Sequence, residues 1–333
     1  MKRNNNKHQK GIEKEKFALG VDLGGTNIKI ALVSGDGVIK DYLKIPTNAQ
    51  QDKEVTITRI KQGIYQIIRQ SDLEIKSING IGIGAPGPLD FQKGIIHFAP
   101  NLPGWEEVPL GEIIKEEFQI SVKIENDANA AAWGEKSFGI AQGVDELVCL
   151  TLGTGIGGGL IFQGKIYHGK NNVAGEAGHI IVNKDGPLCN CGNFGCLEAY
   201  SSAAGIKNRV SRRIKELKIS DPSIFYQNNS NQISLVKIFE QAREGNPIVK
   251  DIVEEAIEYL GIGITTLVNL LNPEMVVLVG GITNEGDKLL NPIKDIVFHR
   301  AMRYHLTDLK IVFGMLGEYA GVAGAAALLW DFG

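Results

Sequence analysis

The chain has 333 residues, of which 43% are hydrophobic and 22% are charged, and this length suffices for about two folded domains. A formal net charge of −3 argues against a basic surface that binds nucleic acid or an anionic membrane. No apolar run reaches the roughly 20 residues of a membrane helix, and residues 1–16 lack the apolar stretch of a signal peptide. We therefore expect a cytoplasmic protein with no nucleic-acid or membrane partner and a disordered tail at residues 1–16.

The first half of the chain alternates strands with helices. Residues 17–25 form a predicted buried strand that ends at two glycines, residues 27–34 form its hairpin partner, and a third strand completes a meander. Beyond the meander, the pattern predicts a helix at 52–70, a strand at 78–88 that runs into a Gly/Pro loop, a helix at 110–118 and a strand at 122–126.

The same plan then starts again. A strand at 146–155 ends in glycines and is followed by a hairpin at 157–169. The later segments are a long helix at 247–272, a strand at 275–281, a further helix, the segment KIVFGML at 310–316 and a small-residue helix at 320–329. Repetition of one plan predicts two α/β halves that face a cleft.

Three glycine loops follow three of the predicted strands. DLGGTN (22–27) and LGTGIGGG (152–159) lie at matching hairpin turns of the two halves, where backbone N–H groups can approach an anion. GGITNEGD (280–287) would let a flat base or ribose lie on its backbone. One such loop alone could be an ordinary glycine hairpin, but three at strand ends predict a nucleotide held between the halves. The candidate nucleotide-binding residues are Asp22, Gly24, Gly25, Thr26, Asn27, Gly153, Thr154, Gly155, Gly157, Gly280 and Gly281.

Three of the four cysteines lie within CNCGNFGC (189–196), and a histidine precedes them by ten residues. Thiolates and imidazoles bind Zn²⁺ tetrahedrally, so the expected ligands are His179, Cys189, Cys191 and Cys196. A disulfide is disfavoured because the C-x-C pair is poorly placed for an unstrained bond and the cytoplasm keeps thiols reduced. A buried apolar patch fits badly with the glycines and asparagines of the segment. Zinc, in contrast, could order a loop that has no core of its own.

Polar residues flank this segment and the strand at 122–126. Glu176, His179 and Glu198 could meet a ligand or could simply support the zinc ligands. Asn126 and Asp127 precede an alanine-rich helix, where both residue types are favoured as helix caps. The helix dipole should favour the charged form of Asp127, and a charged carboxylate can accept the proton of a hydroxyl that attacks a phosphate. His97, His168, His299 and His305 lack partner spacing and are assigned to structure or surface.

Together these motifs resemble the ROK family of bacterial sugar kinases and repressors. The glycine loops are similar to the phosphate and adenosine motifs of the superfold shared by actin, hexokinase and heat-shock chaperones, and GEAGHI with CNCGNFGCLEA resembles the ROK glucokinases in particular. The resemblance covers residues 17–330 and implies two actin-like (ribonuclease H-like) α/β domains around a nucleotide and sugar cleft. We expect a small N-terminal domain of residues 17–123 plus 318–333, and a larger domain of residues 124–317 with its zinc loop at 179–196.

The resemblance also implies the reaction and its residues. It implies that ATP phosphorylates the 6-hydroxyl of a hexose, with glucose as the expected sugar, Asp127 as the base and Asp22 orienting Mg²⁺. The implied sugar ligands are Asn101, Asn126, Asp127, Glu176, His179 and Glu198. The zinc would be structural, and the protein would form a homodimer or homotetramer. Asn27 stands where many relatives have Lys, which leaves one phosphate contact open.

Two alternatives stay open. The substrate could be N-acetylmannosamine, mannose, fructose or N-acetylglucosamine, and polyphosphate could replace ATP. ROK repressors carry an N-terminal helix-turn-helix module before the first glycine hairpin, and the sixteen mostly polar residues before Phe17 are too few to build one. A kinase is therefore favoured over a sugar-sensing regulator.

Overall fold

The computed structural model describes residues 16–227 and 232–330. The predicted tail at residues 1–16 lies outside them except for Lys16. Within the described residues, thirteen strands follow one another: β1 (Phe17–Leu23), β2 (Asn27–Ser34), β3 (Ile39–Pro46), β4 (Ile81–Ala85), β5 (Leu89–Asp90), β6 (Ile95–Phe98), β7 (Glu106–Val108), β8 (Val122–Asn126), β9 (Leu147–Leu152), β10 (Ile156–Phe162), β11 (Lys165–Ile166), β12 (Met275–Val279) and β13 (Lys310–Phe313).

The same two ranges contain nine α-helices, to which several single-turn 3₁₀ segments are added. These helices are α1 (Lys53–Gln70), α2 (Leu110–Phe118), α3 (Asp127–Ser137), α4 (Leu197–Ser201), α5 (Ala203–Glu216), α6 (Leu235–Arg243), α7 (Lys250–Leu271), α8 (Asp287–Arg300) and α9 (Ala320–Ala327). No helix in this part of the chain combines the length and the apolar character that a bilayer crossing requires.

Two five-stranded sheets repeat one topology. The strand order is β3-β2-β1-β4-β8 in the first sheet and β11-β10-β9-β12-β13 in the second. In each sheet three antiparallel strands form a meander, a fourth strand pairs in parallel with the first strand of the meander, and a fifth pairs in parallel with the fourth. β4 and β12 are buried along their whole length, as is typical of parallel strands covered on both faces. The predicted duplication of an α/β plan is thus present.

Several short elements were not predicted. Strands β5, β6 and β7 form a small third sheet within the first half, and they have only two to four residues each, too few for periodicity to show. Helix α5 is largely polar and buries only Gly205, Ile206 and Val210, which leaves a narrow apolar stripe. Helix α6 buries Ile238 and Phe239 and was likewise missed.

The last helix of each half packs on the sheet of the other half. Helix α3 follows β8 of the first sheet but lies against β9 and β10, whereas α9 follows β13 of the second sheet and lies against β1 and β4. The two helices cross in close contact, since a Cβ added to Gly324 would lie 1.7 Å from the carbonyl oxygen of Ala130. The domain boundaries 17–123 plus 318–333 and 124–317 stay a prediction.

Candidate active site

Residues from both halves line a cleft of about 840 Å³. The first glycine loop, the junction between β8 and α3, the second glycine loop and residues 172–179 meet there. The sequence-predicted residues that line it are Gly24, Gly25, Thr26, Asn101, Asn126, Asp127, Gly153, Thr154, Gly155, Gly157, Glu176, His179 and Glu198. The structure thus brings all six candidate sugar ligands into one cleft with two glycine loops.

Four of the predicted nucleotide-binding residues, Asp22, Asn27, Gly280 and Gly281, are not among those that line this cleft. The carbonyl of Asn27 instead closes the first glycine loop by accepting the Gly24 N–H at 3.1 Å. Asp22 lies near the end of β1, just before that loop, and forms an ion pair with Lys29, with 3.1 Å between Oδ2 and Nζ. Gly280 has φ +106, and a Cβ there would lie 2.5 Å from the carbonyl oxygen of Leu152, so its backbone packs against the end of β9. Gly281 follows it at the start of a 3₁₀ segment.

The second glycine loop is held by side chains from other segments. The Gly157 N–H donates to Oγ1 of Thr151 at 3.1 Å, and the Ile156 N–H donates to Oε2 of Glu198 at 2.9 Å. A Cβ on Gly155 would lie 2.3 Å from the same Glu198 oxygen, so a larger residue here would displace the Glu198 carboxylate from its bond to Ile156. Glu198 therefore connects the predicted sugar ligands with the predicted phosphate loop.

Asn126 and Asp127 occupy the start of helix α3. Oδ1 of Asn126 accepts hydrogen bonds from the N–H groups of Ala128 and Asn129 at 3.0 and 3.2 Å, so Asn126 is the helix cap. The amide nitrogen of Asn126, rather than its oxygen, is then the group that could meet a ligand. Oδ1 of Asp127 accepts the Ala128 N–H at 2.8 Å, which leaves its other oxygen for chemistry.

The charge preference predicted for Asp127 is wrong in direction. Burial is the largest influence, and together with the nearby carboxylates of Asp22 and Glu176 it raises the pKa of Asp127 to about 7. The Ala128 N–H lowers this pKa, as helix N-termini do, but does not outweigh the burial and the like charges. A carboxyl group with a pKa near 7 is well matched to general base catalysis near neutral pH.

The cysteine segment brings four potential metal ligands together. One ligand atom each of His179, Cys189, Cys191 and Cys196 lies within 4.8 Å of the others. Nδ1 of His179 is 3.7 Å from Sγ of Cys189, and the thiols of Cys191 and Cys196 are also 3.7 Å apart. Ligands bound to zinc at about 2.0–2.3 Å on a tetrahedron are about 3.5–3.8 Å from one another. The group therefore fits a tetrahedral Zn²⁺ ion.

The two ring nitrogens of His179 face different groups. Nδ1 faces the thiols, whereas Nε2 lies 3.9 Å from Oε2 of Glu176. Glu198 lies in the first turn of α4, directly after the cap residue Cys196 and Leu197. A metal at the thiols would thus fix the direction of both His179 and Glu198.

Lys29 is a cleft residue that sequence reasoning missed. It lines the cleft together with residues of the first glycine loop, and its ammonium group donates to Asp22 and to the carbonyl of Glu318, each at 3.1 Å. The predicted β1–β2 hairpin could have indicated this ion pair, because Asp22 and Lys29 stand opposite each other in it. This cation can supply the phosphate contact that Asn27 left open.

Comparisons with known proteins agree on one family. The sequence profile of the ROK family matches residues 18–331. Glucokinase of Thermotoga maritima is 36% identical over 313 residues, which are 93% of this chain and 96% of that protein. The xylose repressor of Caldicellulosiruptor bescii is 33% identical over 93% of this chain and 77% of its own length. A ROK family glucokinase from Streptomyces griseus, crystallised with glucose and AMPPNP, superimposes with a TM-score of 0.80 at 34% identity, over 94% of this chain and 98% of that one.

Proposed function

The chain belongs to the ROK family, as its motifs predicted, and we propose that it is an ATP-dependent hexose kinase that converts glucose to glucose 6-phosphate. One observation carries this proposal above the others. Asp127 lines a single cleft together with five further candidate sugar ligands and residues of two glycine loops. The predicted actin-like fold is confirmed by the structural similarity to a ROK glucokinase.

The sugar would be held by groups that suit ring hydroxyls. The carboxylates of Glu176 and Glu198 accept hydrogen bonds from hydroxyls, and Asn101 and Asn126 can donate from their amide nitrogens. Nε2 of His179 points away from the thiols, so it can also reach a hydroxyl. This set fixes a hexose so that one primary hydroxyl lies beside Asp127, at the boundary with the glycine loops.

Asp127 is the proposed base for the transfer. The 6-oxygen of the sugar forms a bond to the γ-phosphorus while the bond between that phosphorus and the β-γ bridging oxygen breaks, and Asp127 accepts the hydroxyl proton. Such a base contributes about 10²–10⁴-fold to the rate. The remainder comes from position and from charge neutralisation by the loop N–H groups and Lys29.

Two metals are proposed on chemical grounds. Zn²⁺ would be held by His179, Cys189, Cys191 and Cys196 and would order the loop that carries the sugar ligands. Mg²⁺ prefers oxygen ligands and keeps several waters, so Asp22 would hold it through water. When bound, Mg²⁺ neutralises phosphate charge.

We further propose that the protein acts in the cytoplasm as a homodimer or homotetramer. Three thiols with a metal-ligand arrangement fit a reducing compartment. Light scattering of the purified protein would give the number of subunits.

A coupled ADP-release assay over a panel of sugars tests the proposed function. We expect glucose to give the highest kcat/KM, with mannose, fructose, N-acetylmannosamine and N-acetylglucosamine weaker and xylose inactive. Replacement of ATP by polyphosphate tests the donor. Absence of turnover with every sugar would overturn the proposal, and glucose binding without turnover would support a sugar-sensing regulator instead.

A further inference from the structure

A largely buried contact between Glu125 and His168 lies next to Asn126, which lines the cleft, and the proposed chemistry does not use it. Glu125 is in β8, immediately before Asn126, and is only 3% exposed. His168 follows β11, at the start of the loop that leads to Glu176. Nε2 of His168 donates to Oε2 of Glu125 at 2.7 Å, so two segments far apart in the chain are joined by one short hydrogen bond.

The other oxygen of Glu125 holds the catalytic turn. Oε1 accepts the backbone N–H of Asn126 at 2.8 Å and the side-chain amide of Asn129 at 3.0 Å. The carboxylate therefore contacts the start of α3 on one side and His168 on the other. Because the group is buried, loss of one partner would leave polar atoms unpaired, which is costly.

His168 in turn anchors the loop of residues 168–176. Its ring stacks on Phe91 of the first half, with centroids 4.0 Å apart and planes 13° apart. Its carbonyl accepts the Ala174 N–H at 3.1 Å, which closes the loop back on its own first residue. Residues 172–176 of this loop line the cleft, so the position of Glu176 depends on where His168 is held.

We propose that Glu125 and His168 are positioning residues that keep the loop bearing Glu176 in register with Asn126 and Asp127. The proposal rests on the proposed function in one respect, namely that the ligand held between these segments is a hexose. A hexose in the cleft would contact both the loop that bears Glu176 and the start of α3. The glycine loops that would hold ATP belong to other elements. Loss of the contact should therefore weaken sugar recognition and slow turnover without an equal effect on ATP.

A pair of isosteric variants tests this assignment. The amide nitrogen of glutamine can take the place of Nε2 of histidine, whereas that of asparagine corresponds to Nδ1. His168→Gln should keep the donor to Glu125, and His168→Asn should lose it. We expect His168→Asn to raise the KM for glucose about tenfold and to lower kcat, because small misplacements in a site are costly. His168→Gln should restore most of both values, and the KM for ATP should stay within about twofold in each variant.

His97 provides a matched control. It pairs with Glu107 at 2.8 Å, in a contact of the same type, but both side chains are largely exposed. Because His97 makes this contact through Nδ1, His97→Gln is the variant that loses it, and this variant should leave the kinetics unchanged. Equal behaviour of His168→Gln and His168→Asn, or an equal rise in both KM values, would overturn the positioning role.

Hydrogen exchange gives a readout that does not depend on turnover. Peptides within residues 168–176 should exchange faster in His168→Asn than in the wild type, and His168→Gln should resemble the wild type. If the wild type phosphorylates no sugar, the proposed function fails, and the exchange data still decide whether the contact orders the loop. Unchanged exchange in His168→Asn would reject the inference.

Discussion

At the scale of single residues, the site depends on a carboxyl group whose pKa is raised towards neutral pH. Asp127 owes its pKa of about 7 to burial first, and then to Asp22 and Glu176. These three carboxyl groups come from separate segments, so the turn sequence Asn-Asp alone could not reveal the shift. Only the ionised form can accept a proton, and the same burial that suits catalysis therefore makes the rate sensitive to pH.

The first prediction concerns this pH dependence. A raised pKa means that the carboxyl group is neutral below about 7 and ionised above it. We expect kcat/KM for glucose to fall about tenfold per pH unit below about 7 and to level off above it. Initial rates between pH 5 and 9 measure this, and a flat profile down to pH 5 would contradict it.

The second prediction links Asp127 to stability. Asp127→Asn should lower kcat at least about 10²-fold with little change in the KM for glucose. Because the folded state binds this proton more tightly than the unfolded state, stability of the wild type falls as pH rises from about 4 to about 7. The variant lacks this loss, so it should be more stable than the wild type by about 1–3 kcal/mol at pH 8 and by little at pH 4, the range reflecting solvent screening in the open cleft.

Asp90 supplies a control of opposite sign. The N–H group of Lys93 is the main cause that holds the pKa of Asp90 below its usual value, so its charged form stabilises the folded protein at neutral pH. Asp90→Asn should thus destabilise the protein above about pH 4 and lose this effect in acid. Thermal melts of both variants at pH 3, 4 and 8 make the comparison, because the lowered pKa keeps Asp90 largely ionised in the folded protein at pH 4.

At the scale of elements, the cysteine segment influences the position of residues outside it. Glu198 follows Cys196 by two residues and holds the Ile156 N–H of the second glycine loop. A disturbance at the thiols would therefore reach the predicted sugar ligands and the predicted phosphate loop together.

The third prediction follows for the zinc ligands. Cys191→Ser, or removal of metal by a chelator, should raise the KM for glucose at least about tenfold and lower the melting temperature, because the metal would order the segment that positions His179 and Glu198. Metal analysis should give one zinc per wild-type chain. Cys149→Ala is the control, since Cys149 is buried in a strand of the second sheet and its loss should leave zinc content unchanged. An unchanged KM without zinc would refute a role for the metal in sugar binding.

Elements with clear periodicity or local spacing could be predicted, and contacts between distant segments could not. Helix α2 and strand β8 match the predicted bounds, because amphipathic patterning and short apolar runs are local signals. The Cys₃His group could also be predicted from the sequence, since His179 and the thiols lie within one short stretch. The contact of Glu125 with His168 joins residues 43 positions apart, and only the packing of one half on the other brings them together.

At the scale of the whole molecule, the two halves meet where α3 crosses α9. Gly134 and Gly324 let the helices approach closely, since a Cβ on Gly134 would lie 2.5 Å from the carbonyl oxygen of Ala320. The surrounding residues of α9 are almost all buried alanines. A crossing this tight fixes the relative position of the two sheets and hence the width of the cleft.

The fourth prediction tests this crossing. Replacement of glycine by alanine in an open helix normally stabilises a protein by about 1 kcal/mol. Gly324→Ala should instead destabilise it by about 2–4 kcal/mol, because the new methyl group would meet the Ala130 carbonyl at 1.7 Å. Urea unfolding gives the free energy, and a stability equal to or above that of the wild type would argue against the close contact.

Helices α3 and α9 each pack on the sheet of the other half, and this affects whether the chain could be cut into two folded fragments. A break in the connection between α3 and β9 would separate α3 from the second sheet, on which it packs. The same break would separate α9 from the first sheet. Each piece would expose apolar surface that only its counterpart can cover. Despite their repeated strand order, the two halves are therefore mutual folding partners, and neither is a separable module.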